Sequence, residues 1–275
     1  MFERQAEKFT ADFDALVANC WNYSFLTRDS KLQQVAIDKL VRFRKEQLVK
    51  LKEKLVEAEL DTLLRRLLYH QCIIDALICE LALWIELKAG NNLAAWNRLV
   101  DSQLAVNSAM KALGERKLEE WASKLKVIES SLFPPMLFFS IGVTASKRVC
   151  SVCHQDMDEC PHIPGRIYRG DFCSMIVTES ELQETSIVTD PQNRRCIALS
   201  HTFWGTRIDA FSWSEVGENG EHIYTKHQID AIVSPGLHQS LSHTADDDRV
   251  YESVWPTNFQ PSVPLVTSIT HEDAS

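Results

Sequence analysis

From residue 31 to residue 89 apolar side chains return every three, four or seven positions. Ile37, Leu40, Val41, Leu48, Leu51 and Leu55 begin the series, and Leu60, Leu63, Leu64, Leu67 and Leu68 carry it on to Leu87. That spacing lines one face of an α-helix. A looser helical period covers residues 3–19, after which Asn22-Tyr23-Ser24 and Thr27-Arg28-Asp29-Ser30 punctuate the chain. Ser30 followed by Gln33 has capping-box spacing and predicts a helix start. A run from 31 to 89 is long for one globular helix. A break near residues 59–62 is therefore expected, giving two antiparallel helices, with one long coiled-coil helix as the alternative. Gly90 and two asparagines end the run in C-cap fashion. Further helices are predicted over about residues 92–112, ending at Gly114, and 115–130, ending before Pro134-Pro135. Trp84, Trp96 and Trp121 fall on these patterns as interhelix anchors. Residues 1–131 thus read as an antiparallel helical bundle.

At Leu132 the period changes. Pro, Gly, Thr, Val and Ile become frequent and helical spacing stops. Residues 136–143, 175–178, 185–189, 195–201 and 222–225 have strand length and composition. Residues 132–234 therefore read as a β-rich domain, with Trp204, Trp213 and Trp255 covering its sheet. Residues 235–275, rich in Ser, Thr, Pro, Asp and His, read as an irregular surface segment, and Asp246-Asp247-Asp248 as a solvated acidic loop. The fold class is α+β, helices first and strands after.

Composition narrows this picture. The 275 residues suffice for one large domain or two ordinary ones, and 45% hydrophobic with 24% charged residues is usual for a soluble globular chain. The first residues lack the apolar core of a secretion signal. The most apolar stretch, 72–88, is interrupted by Asp75, Glu80, Glu86 and Lys88, so no membrane span is predicted and the expected compartment is the cytoplasm. The net charge of −9 is uneven: residues 171–275 sum to −11 and residues 1–170 to +2. The C-terminal part would repel phosphates. The basic residues Arg42, Arg44, Lys45, Lys50, Lys52 and Lys54 are interleaved with Glu46, Glu53, Glu57 and Glu59, as on a solvated helix face. Nucleic acid is not an expected partner.

The candidate chemistry lies in the cysteines. Cys20, Cys72, Cys79 and Cys196 are scattered, Cys72 and Cys79 on a helical pattern that makes them core residues. Cys150, Cys153, Cys160 and Cys173 fall within 24 residues, with His162 among them. In a reducing compartment such a cluster reads as a metal site rather than a disulfide framework. The C-x2-C pair lets two thiolates reach one ion, and zinc takes four ligands at tetrahedral corners. Cys150 and Cys153 supply two. The remaining two come from Cys160, His162 and Cys173 in a combination that spacing leaves open. His154 beside the knuckle reads as a turn residue. Asp156, Asp158 and Glu159 lie between the candidates, but no H-x-E or H-E-x-x-H arrangement accompanies them. A closed structural zinc site over residues 150–173, standing in for part of a core, is the expectation.

Two short stretches resemble a known family. Phe139-Ser140-Ile141-Gly142-Val143 is similar to the Ser-Ile-Gly strand of tailed-phage prohead proteases. Glu184-Thr185-Ser186-Ile187-Val188-Thr189-Asp190-Pro191 resembles the E-x-S-x-V-x-x-P stretch that follows it. The resemblance covers about residues 138–195 and implies a β scaffold, a bacterial or phage setting, and Ser140 as nucleophile with a histidine on an upstream strand as base. Here the upstream region is helical, and its one histidine, His70, sits in the Leu-rich run. Arg65 and His70 in turn resemble the R-x4-6-H motif of HEPN-type ribonucleases, which implies His70 as acid or base and Arg65 on a phosphate. Against these two enzymatic alternatives stands the favoured reading, a non-enzymatic zinc-binding interaction or assembly protein. It expects a protein partner and self-association through the helical region.

Overall fold

The computed structural model describes residues 2–113, 116–203, 206–215, 227–232 and 266–270. Residues 116, 117, 203, 227–232 and 266–270 are described by backbone alone. Helices fill the first half: α1 (Phe2–Trp21), α2 (Ser30–Phe43), a π turn (Arg44–Leu48), α3 (Val49–Glu57), α4 (Asp61–Ala89), α5 (Asn92–Leu113) and α6 (Arg116–Leu132). The predicted break is present. Glu59 takes a left-handed φ of 53° and the chain restarts at Asp61. Gly90, at φ 78°, closes α4 where a side chain would be strained, and its N–H caps α4 carbonyls. The capping box is different from expectation. Asp29, not Ser30, caps α2, accepting from Lys31 N at 2.6 Å. Gln33 is buried instead, and its amide donates to the carbonyls of Tyr23 and Phe25 at 3.0 and 2.9 Å. It satisfies the turn between α1 and α2 rather than a helix end.

α4 is the axis of the helical half. It packs against α5 and α2, and from Leu67 to Trp84 almost every side chain is buried, which is the pattern of a helix covered on all sides. Two of those buried residues are acids. Asp75 takes the Arg44 guanidinium at 2.7 Å. Glu80, with no exposed surface, accepts from Trp121 Nε1 at 2.6 Å and from Lys124 Nζ at 2.5 Å. Buried carboxylates need such partners, since an isolated charge costs several kcal/mol. The π turn helps to supply one. Phe43 and Leu48 are both buried but five residues apart, so an i→i+5 turn is what keeps both on the core face, and Val49 N–H accordingly bonds Arg44 O. Cys72 and Cys79 are core thiols as predicted, and burial pushes Cys79 up to about 12.

The second half is antiparallel. β1 (Phe138–Cys150) pairs with β4 (Met175–Val188), Phe138 opposite Val188 at one end and Cys150 opposite Met175 at the other. β2 (Ile167–Tyr168) and β3 (Asp171–Phe172) form a short hairpin. β5 (Ala198–Phe203), β6 (Thr206–Asp209), β7 (His227–Ile232) and β8 (Val266–Thr270) make a sheet in the order β6-β5-β7-β8. The predicted strands at 175–178 and 185–189 are one strand. Its middle is polar and exposed on both faces, so no alternation marked it. β8 falls in the segment read as irregular. The expected strand at 222–225, Trp204, Trp255 and Asp246–Asp248 lie outside the described residues. Trp213 is exposed, at 62%, with its ring against His201 of β5.

One apolar cluster crosses residue 132: Phe133, Phe138 and Ile197 join the helical core. Trp96 is its hinge, its ring 5.3 Å from Phe133 and 6.1 Å from Phe138, with Nε1 donating to Arg194 O at 2.8 Å. The Arg194 guanidinium lies 5.1 Å over that ring and donates to Gln103 and Glu129, while Arg195 pairs with Asp101.

Two outcomes follow from the buried polar groups. Glu80→Ala leaves the Trp121 N–H without its acceptor and the Lys124 ammonium without its carboxylate, and is expected to cost about 3 kcal/mol in urea unfolding. His70 is buried against Phe9, Phe13 and Tyr69 with Nδ1 unpartnered. Burial, then the Arg66 charge, lowers its pKa from 6.5 to about 4. The unfolded chain therefore binds the proton first, and His70's contribution falls as pH drops from about 6.5 toward 4. His70→Leu should melt progressively closer to, or above, the parent as pH is lowered across that window. A difference constant with pH contradicts the assignment.

Candidate metal centre

The centre is assembled where the ribbon of β1 and β4 ends. Cys150 closes β1, and the chain turns at once: His154 N–H bonds Cys150 O at 2.9 Å, and His154 itself takes φ 59° and faces solvent. The turn directs Val152 N–H at Cys150 Sγ, 3.3 Å away. This is the reason for a two-residue spacer, since it brings both sulfurs and their hydrogen-bond donors to one point. A second, shorter loop does the same for Cys160, whose sulfur receives His162 N–H at 3.2 Å and lies 3.4 Å from His162 Nδ1. Ser151 and Ser174 tie the two sides together, Ser151 N to Ser174 O at 3.0 Å and Ser174 N to Ser151 Oγ at 2.8 Å. Arg148 clasps Asp158 with two contacts at 3.1 and 2.9 Å across the outer turn.

The ligand atoms of Cys150, Cys153, Cys160 and His162 all lie within 4.8 Å of one another. An ion with metal–sulfur bonds of about 2.3 Å has tetrahedral edges of about 3.8 Å, so four donors at this separation can hold one ion. Cys173, the fifth candidate, stands beside this group with its sulfur 3.8 Å from that of Cys150 and almost no exposed surface. The structure thus joins Cys160 to His162 in one group and puts Cys173 at its edge. Electrostatics match the donor set. Burial raises Cys150, but the N–H groups of Cys153 and Val152 and the neighbouring thiols outweigh it and bring it down to about 6. Burial and the Cys150 and Cys153 side chains push Cys160 up to about 11, and burial with Cys150 pushes Cys173 up to about 12. Of Cys150, Cys160 and Cys173, only Cys150 is brought into the range where a thiolate forms readily, because adjacent thiolates repel. A divalent cation removes that conflict.

The loop between His162 and Cys173 anchors the centre to the helices. Arg169 and Gly170, at φ 51° and 79°, form the two-residue turn of the β2–β3 hairpin, a geometry with both central residues left-handed. A Cβ on Gly170 would come within 3.2 Å of Leu64 on α4, so the turn is seated directly on that helix. Lys52 of α3 holds Asp171 at 2.6 Å.

The other candidate residues are not assembled. Ser140 is half-buried in β1 opposite Ser186, and no histidine among the described residues hydrogen-bonds to it. Arg65 is exposed while His70 is enclosed by aromatic rings, so the two share no open groove. Sequence reasoning missed the polar partners of α4 and the Arg194–Arg195 pair. The acids within the apolar run 72–88 were the available signal for the former. For the latter there was only an arginine doublet.

The class that fold and centre define is a mixed α+β protein with a Cys3His group able to hold one metal ion. Among the described residues no helix is long and apolar enough to cross a membrane. Compared with protein-family models, characterised proteins and solved structures, the chain matches none.

Substitution separates the five candidates. Cys153→Ser and His162→Ala are expected to lower bound metal, measured by native mass spectrometry of the intact chain, at least about tenfold at limiting metal. Cys173→Ser should keep one ion per chain. Loss of metal from Cys173→Ser with retention in His162→Ala would assign the fourth position to Cys173.

Proposed function

We propose that this chain is a non-enzymatic interaction or assembly protein of the bacterial or phage cytoplasm, in which residues 1–131 form a helical bundle and residues 132–234 a β-rich part stabilised by a structural Zn2+. The observation that carries the zinc reading is the closed Cys3His group, three sulfurs and one imidazole within mutual reach at the end of a ribbon that has little apolar core of its own. Soft sulfur donors with imidazole favour zinc over the hard cations. Among the described residues no carboxylate belongs to the group, which supports a structural rather than a hydrolytic ion. The phage setting rests on the sequence of the two family-like stretches alone, which pair across β1 and β4 as Phe139–Ile187, Ser140–Ser186 and Ile141–Thr185. The environments of Ser140 and His70 support the absence of a hydrolytic centre.

A groove on the helical side supports the partner reading. A groove of about 1210 Å³ runs between α1 and the turn before α4. Its apolar floor includes Phe2, Ala6 and Leu63, and its rim carries Glu3, Glu7, Asp14, Glu59 and Asp61 against one arginine, Arg66. Apolar floor and acidic rim together suit an amphipathic helix with a basic polar face, from a protein partner or from a second copy of the chain. The −9 net charge of the chain disfavours the second copy.

Charge reversal tests this reading. Glu7→Lys with Asp14→Lys is expected to weaken binding of the native partner at least about tenfold in surface plasmon resonance, more at low than at high salt. Metal content and melting temperature should stay unchanged. A partner whose binding ignores both substitutions does not use the groove, and a chain that is monomeric and captures nothing argues against the adaptor role as a whole.

A further inference from the structure

A second cavity, of about 430 Å³, opens between the metal loop and the helices. Its walls are Arg65 of α4, Lys111 of α5, and Arg166, Ile167, Tyr168 and Phe172 of the loop between His162 and Cys173. No carboxylate lines it among the described residues. None of its three cationic side chains has a hydrogen bond or ion pair within the described structure. In a chain of net charge −9, three cations around one cavity, none of them paired among the described residues, are not an average of the surface. Like charges placed together raise the energy of the folded state unless an anion comes to them.

Local structure explains one of the three. Lys111 lies in the last turn of α5, where a cation complements the helix dipole. Arg65 gains nothing of the kind. It sits near the start of α4, the end at which a positive charge is unfavourable. Arg166 is held by its backbone alone, its N–H on Ile163 O at 3.1 Å and its carbonyl accepting from Cys173 N at 2.7 Å, which leaves the guanidinium free to face the cavity. The aromatic side of the cavity is rigid. The Tyr168 hydroxyl accepts from Ile163 N–H at 3.1 Å and its ring meets the His162 imidazole edge-on at 4.6 Å. Tyr168 thereby joins the cavity wall to a residue of the metal group.

We propose that this cavity binds a phosphomonoester with an aromatic body, of which a mononucleotide is the simplest form. Arg65, Arg166 and Lys111 hold the phosphoryl oxygens, and Tyr168 and Phe172 pack against the planar part. Guanidinium groups match phosphate oxygens two at a time, and the volume is that of a small-ligand site. This inference rests on the metal reading, because four of the named wall residues belong to the loop that the ion would fix. The ligand would bridge loop and helices, as the Gly170 turn and the Lys52–Asp171 pair also do.

The test is isothermal titration calorimetry on the full, zinc-loaded chain with AMP, inorganic phosphate and adenosine in separate arms. AMP is expected to saturate one site, phosphate to compete with it more weakly, and adenosine to bind least. AMP affinity should fall with added salt. Arg65→Gln and Arg166→Gln should each weaken AMP at least about tenfold, with metal content and melting temperature unaltered. Absence of AMP and phosphate binding to the metal-loaded chain overturns the proposal while leaving the metal centre standing. So does adenosine binding as tightly as AMP, or AMP binding that both arginine variants preserve. An RNA oligonucleotide that binds more tightly than AMP and is lost in the same variants would replace the small ligand by a nucleic acid. A chain that takes up no metal removes the premise instead, and native mass spectrometry reads that result separately.

Discussion

The helical half is organised by the need to pair two carboxylates inside it. A helix covered on every side can present only apolar groups or satisfied polar ones, and α4 carries Asp75 and Glu80 at its centre. Each acid accepts cationic or N–H donors from a different neighbour. Asp75 calls for Arg44 from the π turn between α2 and α3, and Glu80 calls for Trp121 and Lys124 of α6. Apolar packing alone permits neighbouring helices to slide by a turn with little loss. Charged hydrogen bonds in a low-dielectric interior do not, so these contacts fix the register of three helices at once.

The β half depends on a different device. The β1–β4 ribbon exposes most of β4 and buries little, and its two ends are held by unlike means. At one end Phe138 enters the helical core beside Trp96, and Phe139 N–H bonds Cys196 O at 2.8 Å. At the other end the cysteine and histidine side chains converge where apolar residues are scarce. A bound ion there would substitute for a core, linking residues distant in sequence at one point. Gly170 and the Lys52–Asp171 pair then carry that rigidity back to α3 and α4.

Much of the helical half was legible because its apolar period is strong and its breaks use ordinary chemistry, Glu59 and Gly90 at positive φ. The capping box at Ser30 misled because Gln33 serves a buried turn, and only the tertiary position of the preceding loop reveals that. The cysteine cluster was legible from spacing, while the gathering of His162 with Cys150, Cys153 and Cys160 needed the fold of the loop. Arg65 shows the limit of local pattern. Five residues from His70 along the chain, it points into a cavity made largely by residues about a hundred positions later. β4 was read as two fragments because a strand exposed on both faces carries no alternating signature.

The π turn also governs which changes in chain length the protein tolerates. It holds one residue more than an α-helix needs between Phe43 and Leu48. Loss of a single codon among positions 45–47 would close an ordinary helical turn and leave the flanking apolar rows in phase. The same deletion anywhere else between residues 30 and 57 would rotate everything downstream by about 100° and swing charged side chains into the core. Single-residue deletions accumulated over evolution within this stretch are therefore expected to collect at this one point, inside a helix rather than in a loop.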